Sequence, residues 1–325
     1  MPKLSVIMTM YNVEPYLHQA IKSILSQTYR DFEFIILDDG STDNSIAIVE
    51  SYNDPRIRLI RSAHIGRAMA LNSAIGYAKA EILALMDADD LCIACRFEKQ
   101  LSILNNLPKD TLLSSWYGVF YGSTMHYYVT PPTTSREIKK GLLLHSYISH
   151  PALMLYKDTL VSEGGYRSSI KEQAFVDYET WLGIKDKIEF YIIPEILIYH
   201  RYRQNSLSNN IYYKQRIMYS IQQPYYNDLQ AQFGISVKWE EYLYRGWREY
   251  FYGSKNKARN YWRRLGFLIY RHPRVILAWL TTFMPEHLFI QFKESRAKFR
   301  LMYLFFYYTN KSKILRNQLD TLLNE

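Results

Sequence analysis

Short apolar runs alternate with helical apolar faces through residues 1–90. Leu4-Ser5-Val6-Ile7-Met8-Thr9 is a β-type run that stops at Tyr11-Asn12. From Glu14 to Tyr29, Leu17, Ala20, Ile21, Ile24 and Leu25 follow the spacing of one helical face. Phe32 to Leu37 is a second strand, closed by Asp38-Asp39-Gly40-Ser41-Thr42-Asp43, where Gly permits a tight turn and Thr or Asp can cap a helix. That helix carries Ile46 and Val49, and Ile57 to Ile60 is a third strand. Gly66 to Lys79 places Ala68, Leu71, Ile75 and Ala78 on one side of a helix. Glu81-Ile82-Leu83-Ala84-Leu85 then has the continuous apolar character of a buried parallel strand. This β-α-β-α-β-α-β order predicts a mainly parallel α/β sheet flanked by helices.

The fourth strand runs into Met86-Asp87-Ala88-Asp89-Asp90. Three carboxylates at a strand's carboxyl end repel one another unless a cation lies among them, and open α/β sheets bind ligands at that edge. Oxygen donors without nearby soft ligands suit a hard divalent ion, Mg²⁺ or Mn²⁺, which shares its shell with substrate phosphates. The competing reading is a solvated turn that caps the next helix. No Gly-x-Gly-x-x-Gly and no Gly-x-x-x-x-Gly-Lys-Ser/Thr follows any of these strands, so the dinucleotide and P-loop classes fall away.

Composition divides the 325-residue chain. Residues 1–200 carry 19 Lys and Arg against 23 Asp and Glu, a net of −4, and residues 201–325 carry 21 against 8, a net of +13. Two cysteines, Cys92 and Cys95, exclude a disulfide framework, and reduced thiols are expected. The N-terminus reads as a first strand rather than a signal peptide. After Ser208 the chain turns to helices rich in Tyr, Arg and Trp, with apolar runs too short to span a bilayer. Basic and aromatic residues beside short apolar runs are what interfacial helices use on an anionic membrane. The alternatives are a solvated helical bundle and a nucleic-acid surface; no nucleic-acid module is recognisable, so no nucleic acid is expected as a partner.

Thr9-Met10-Tyr11-Asn12, Asp38 to Asp43, His64-Ile65-Gly66 leading to Asn72, and Asp87-Ala88-Asp89-Asp90 together resemble family 2 glycosyltransferases of the GT-A fold. Arg96 to Gln100, His150-Pro151-Ala152, Gly164-Gly165-Tyr166 and Asp177-Tyr178-Glu179-Thr180-Trp181 extend the resemblance, which covers about residues 3–210. It implies a catalytic GT-A domain over 1–210, a Rossmann-like mixed sheet, and leaves 211–325 as a basic, aromatic-rich helical extension serving the membrane surface or the acceptor.

The resemblance assigns Thr9, Tyr11 and Asp39 to the nucleotide's base and ribose, Asp87 to the ribose side and the metal, and Asp89 to the metal. Asp177 falls at the position of the general base, with Glu172 and Glu179 as the carboxylates that could be mistaken for it. Arg67, Arg201 and Arg203 are the expected phosphate contacts, and His150 and Trp181 are candidates for the acceptor or the pocket wall. Asp38 reads as a turn cap, and Asp90 as a helix cap or a partner behind the ligands. The chain departs from the family in placing Val176 before Asp177, Ala70-Leu71-Asn72 in the third loop, and His200-Arg201-Tyr202-Arg203 before Ser206-Leu207-Ser208.

The implied activity is inverting, metal-dependent transfer of a sugar from a nucleotide donor, UDP being expected. The acceptor is a saccharide or lipid-linked glycan of cell-surface polysaccharide synthesis, met at the inner face of the cell membrane from the cytoplasm. The second class is a protein that binds nucleotide sugars on the same fold without transferring them.

Overall fold

The computed structural model describes residues 1–142, 148–169 and 175–203. Beyond these it describes 217–218, 220–225, 242, 245–247, 249–250, 254–266, 273–285 and 288. The described residues fall into two compact units, one built from 1–138 and 148–203, the other from 139–142 and the described residues after 203. The boundary expected at residue 210 falls outside the described residues.

The first unit holds a nine-stranded sheet in the order β3-β2-β1-β4-β8-β6-β9-β5, with β7 paired to β6. β1 (Leu4–Met10), β2 (Phe32–Asp38), β3 (Ile57–Arg61) and β4 (Ile82–Asp87) are parallel, in the order in which sequence periodicity finds them. Between them run α1 (Glu14–Leu25), α2 (Ser45–Glu50) and α3 (Arg67–Gly76). Leu17, Ala20, Ile21 and Ile24 of α1 are buried, as are Ala68, Leu71 and Ile75 of α3. Leu4 through Met8 and Leu83 through Met86 are buried on both faces of their strands, which explains their unbroken apolar character. Strand β4 extends two residues beyond its apolar run, so Asp87 is its last residue.

The other half of the sheet is mixed. β8 (Met154–Tyr156) is antiparallel to β4 and β6 (Thr111–Tyr121), whereas β9 (Glu189–Arg201) runs parallel to β6. The short β5 (Leu91–Cys92) closes the edge against β9, and β7 (Thr124–Val129) forms a hairpin with β6. The remaining helices of this unit are α4 (Arg96–Leu104), α5 (Ser135–Gly141, which ends in the second unit), α6 (Lys157–Val161) and α7 (Val176–Ile184), with one 3₁₀ turn at His150–Ala152.

In the second unit, α8 (Lys255–Arg263) and α9 (Pro273–Thr281) pack Tyr250, Ala258, Trp262, Leu265, Val275 and Ala278 into a small core. Among the described residues no helix is long and apolar enough to cross a membrane.

Candidate active site

The ends of β1, β2 and β4 converge because the three strands are parallel neighbours, with Thr9 in register with both Leu37 and Asp87. Asp38 is 1% exposed and caps its own turn, accepting from the Gly40 and Ser41 N–H groups at 3.2 Å. Asn12, at φ 50°, accepts from Thr42 N–H at 2.8 Å and so ties the first loop to the second. Asp39 is buried; its oxygens accept from Ile65 N–H at 2.7 Å and Gly66 N–H at 3.1 Å. It therefore holds the third loop in place; His64 Nδ1 also lies 3.1 Å from the oxygen that takes the Gly66 N–H, so the oxygen facing Ile65 keeps a lone pair for a ligand. Tyr11 is exposed and stacks on His64 with ring centroids 4.4 Å apart.

Asp87 is gripped from two sides. Arg67, the first residue of α3, donates to it at 3.1 Å, and His150 Nδ1 lies 3.1 Å from the same oxygen. Burial alone would raise its pKa, but Arg67 and His150 hold it well below the usual carboxylate range. With Nδ1–H donating to Asp87, His150 Nε2 accepts from the Tyr166 hydroxyl at 3.0 Å. Burial, with Asp177 and Asp87 nearby, keeps that phenol protonated. Tyr166 is in turn bound through its backbone to Asn72, at 2.7 Å for its N–H and 2.9 Å for its carbonyl. Since Asn72 belongs to the same helix as Arg67, the contacts close a ring: Asp87, Arg67, Asn72, Tyr166, His150 and back to Asp87.

Asp89 has the opposite electrostatics. Burial and the neighbouring Asp90 and Asp87 raise its pKa above the usual carboxylate range, although Arg203 Nε lies 2.8 Å from its carboxylate. Asp90 caps no helix; it accepts from the Arg201 N–H at 2.8 Å and pairs with His200 at 3.0 Å, anchoring β9 behind the acidic turn. Burial opposes the charge on His200, but Asp90 holds its pKa above the ordinary histidine value. The Arg201 guanidinium donates to the Asp89 carbonyl at 2.9 Å and to Gln19 at 2.7 Å, with Phe120 and Tyr16 against it. It braces the turn, whereas Arg203, the other arginine expected at the phosphates, pairs with the Asp89 carboxylate.

Asp177 stands in the first turn of α7, directly after Phe175 and Val176, with Phe175 in the left-handed region at φ 58°. Its charge is felt by Arg67 and Tyr166, and among the described residues no hydrogen bond or ion pair engages its carboxylate. Glu179 is buried and accepts the Ser169 N–H with both oxygens at 3.0 Å, which makes it a loop clamp rather than a base. Glu172 lies outside the described residues. Trp181 is wholly buried, edge-on to Tyr166, so it supports the ring from behind and offers no face to a sugar. His150, at 4% exposure, likewise acts through Asp87 and Tyr166.

The acidic turn fits a hard cation. Asp89 is a crowded, buried oxygen donor, and among the described residues no group of three metal-ligating side chains converges. The protein would then supply one or two carboxylates and leave the other positions to phosphate and water, the Mg²⁺ pattern.

The sequence model of glycosyl transferase family 2 matches residues 5–164. An uncharacterized glycosyltransferase of Methanocaldococcus jannaschii is 33% identical over 219 residues, 64% of this chain and 74% of that protein. The UDP-Glc:alpha-D-GlcNAc-diphosphoundecaprenol beta-1,3-glucosyltransferase WfgD of Escherichia coli is 30% identical over 210 residues, 64% of this chain and 80% of its own. Among solved structures, S. aureus TarS in complex with UDP-GlcNAc superposes with a TM-score of 0.56 at 16% identity, over 86% of this chain and 90% of that one. The fold is thus that of GT-A glycosyltransferases, and the chain belongs to glycosyltransferase family 2.

Proposed function

We propose that the chain transfers a sugar from a UDP-linked donor, with inversion, to a saccharide or lipid-linked acceptor in cell-surface glycan synthesis. The observation that carries this reading is the Asp177 carboxylate, unengaged among the described residues, which shares its surroundings with Arg67 and Tyr166. Asp177 takes the proton from an acceptor hydroxyl. The oxygen bonds to the anomeric carbon while the bond to the diphosphate breaks on the opposite face, so the electron pair leaves with the nucleotide. Arg67 and Arg203 offset the charge that develops on the departing phosphates. Mn²⁺ or Mg²⁺ held by Asp89, with Asp87 beside it, would add Lewis-acid stabilisation of that charge.

Uracil as the base is supported by the buried Asp39 carboxylate, which keeps a lone pair for a ring N–H, and by the exposed Tyr11 ring at the same edge. The names of WfgD and of the TarS complex, both of which contain UDP, point the same way. WfgD's diphosphoundecaprenol substrate supports a lipid-linked acceptor and, with it, work on the inner face of the cell membrane. Leu277, Leu280 and Phe283, each at least half exposed, with seven Lys and Arg and no acidic residue over 254–285, support peripheral contact there. Trp279 of α9 packs against the core of the second unit.

Asp177→Asn tests the catalytic assignment. Transfer to acceptor should fall about 10²-fold or more, while UDP affinity measured by calorimetry stays at the wild-type value. Unchanged transfer would remove Asp177 from the mechanism.

A further inference from the structure

At the tip of the β6–β7 hairpin, Tyr121, His126 and Tyr202 hold three exposed rings against one another. Their centroids are 6.0 Å apart for Tyr121 and His126, 6.2 Å for Tyr121 and Tyr202, and 6.4 Å for His126 and Tyr202. Tyr121 is 46% and Tyr202 40% exposed. The same hairpin buries Val119, Phe120, Met125 and Tyr128, all below 9%, and leaves Trp116, Tyr117 and Tyr127 half-buried. Rings left in water contribute little to the core, so the fold alone does not require aromatic residues at these three positions.

The local backbone is built to present them. Gly122, at φ 58°, makes the tight turn that pairs Tyr121 with Thr124, and the β6–β7 register shifts between Val119 and Phe120. Such an irregularity re-aims the side chains beyond it and recurs next to active sites. The Tyr202 N–H donates to the Phe120 carbonyl at 2.7 Å and so continues the β6–β9 ladder past its last pair. Tyr202 stands between Arg201, which donates to the Asp89 carbonyl, and Arg203, which pairs with the Asp89 carboxylate. Successive side chains of an extended segment face opposite ways, so the Tyr202 ring opens beside the acidic turn rather than into it.

Sheet order gives the platform its role. The candidate nucleotide contacts Thr9, Tyr11 and Asp39 lie at the ends of β1 and β2, on one side of β4, whereas β6 and β9 lie on the other. A hydroxyl that attacks opposite the leaving diphosphate arrives from the side away from the nucleotide. β6 is two strands from β4, about 10 Å, too far for the reacting residue itself. Tyr and His rings offer an apolar face to the C–H face of a pyranose, and the imidazole nitrogens of His126 are available to its hydroxyls.

From this arrangement we infer that Tyr121, His126 and Tyr202 form an acceptor subsite that stacks on a pyranose unit distal to the hydroxyl attacked. The inference rests on the catalytic reading of Asp177 for its direction of approach, and it is tested by binding alone. An immobilised array of bacterial-type oligosaccharides, probed with the intact chain in the presence of UDP and Mn²⁺, reads the subsite directly. Wild type should retain a defined set of these saccharides. Tyr121→Ala and Tyr202→Ala should each weaken retention about tenfold and the double variant should abolish it, whereas Tyr121→Phe and Tyr202→Phe should preserve it. UDP affinity should be the same throughout, which separates a lost subsite from a lost fold. A double alanine variant that binds saccharides like wild type, or a wild type that retains none, would overturn the assignment. Normal transfer by Asp177→Asn would remove the base and leave the array result standing.

Discussion

Asp89 and Asp87 are two residues apart and carry opposite electrostatic burdens: Arg67 and His150 lower the pKa of one, while burial and like charges raise the other. Asp89→Ala should therefore abolish the Mn²⁺-dependent part of UDP binding and leave the metal-independent part intact. Calorimetry with and without Mn²⁺ checks this, and an unchanged metal increment would mean that another residue holds the ion. The thiols divide as clearly. Cys92 is buried, its pKa raised by that burial, with Gln27 Nε2 3.1 Å from its sulfur; Cys95 is only partly buried. A maleimide should modify one thiol in the native protein and the second only in denaturant, as mass spectrometry would show. At this scale the acidic turn was legible because its chemistry is local: three carboxylates follow one apolar strand. The role of Tyr166 was not, because its partners are Asn72, 94 residues away, and His150, and no periodicity in either segment announces the pairing. The Gly164-Gly165-Tyr166 string was visible as a motif without a role.

Among the elements, α4 is the least conspicuous and the most consequential. Arg96 is wholly buried and donates to the Leu85 carbonyl at 2.9 Å and the Leu153 carbonyl at 3.2 Å, while Gln100 donates to the Ala152 carbonyl at 2.7 Å. One helix thus fixes the end of β4 relative to the turn that carries His150. Burial lowers the Arg96 pKa to about 10, so the side chain remains a cation at neutral pH. Arg96→Met takes a charged donor from two buried carbonyls, of which that of Leu153 keeps the Leu85 N–H at 2.9 Å, and should cost about 1–3 kcal/mol, read as a lower urea midpoint with an unchanged slope. Gly165→Ala should cost about 1–3 kcal/mol, since φ is 72° and a Cβ would lie 2.4 Å from Asn72 Oδ1. A midpoint within error of wild type would show that the loop relaxes freely. The parallel half of the sheet could be read from its periodicity. The mixed half could not, because β8 is three residues long and β5 only two, too short to carry a pattern.

For the whole chain, charge is the property that sequence states most directly. The full protein should sediment with anionic liposomes at low salt and partly release at high salt, because exposed charges are screened within about 10 Å at 0.1 M. Leu280→Asp should weaken sedimentation without lowering UDP affinity; equal behaviour of neutral and anionic vesicles would return the second unit to a solvated bundle. The long reach of Asp90 has a consequence of another kind. Its hydrogen bond to Arg201 spans 111 residues, and β9 lies between β6 and β5 in the sheet. While the ribosome is still extending the chain, the acidic turn has neither its anchor nor its counterion. A nascent polypeptide released before residue 189 would carry the nucleotide-side strands but leave the edges of β6 and β5 without β9, a template for aggregation.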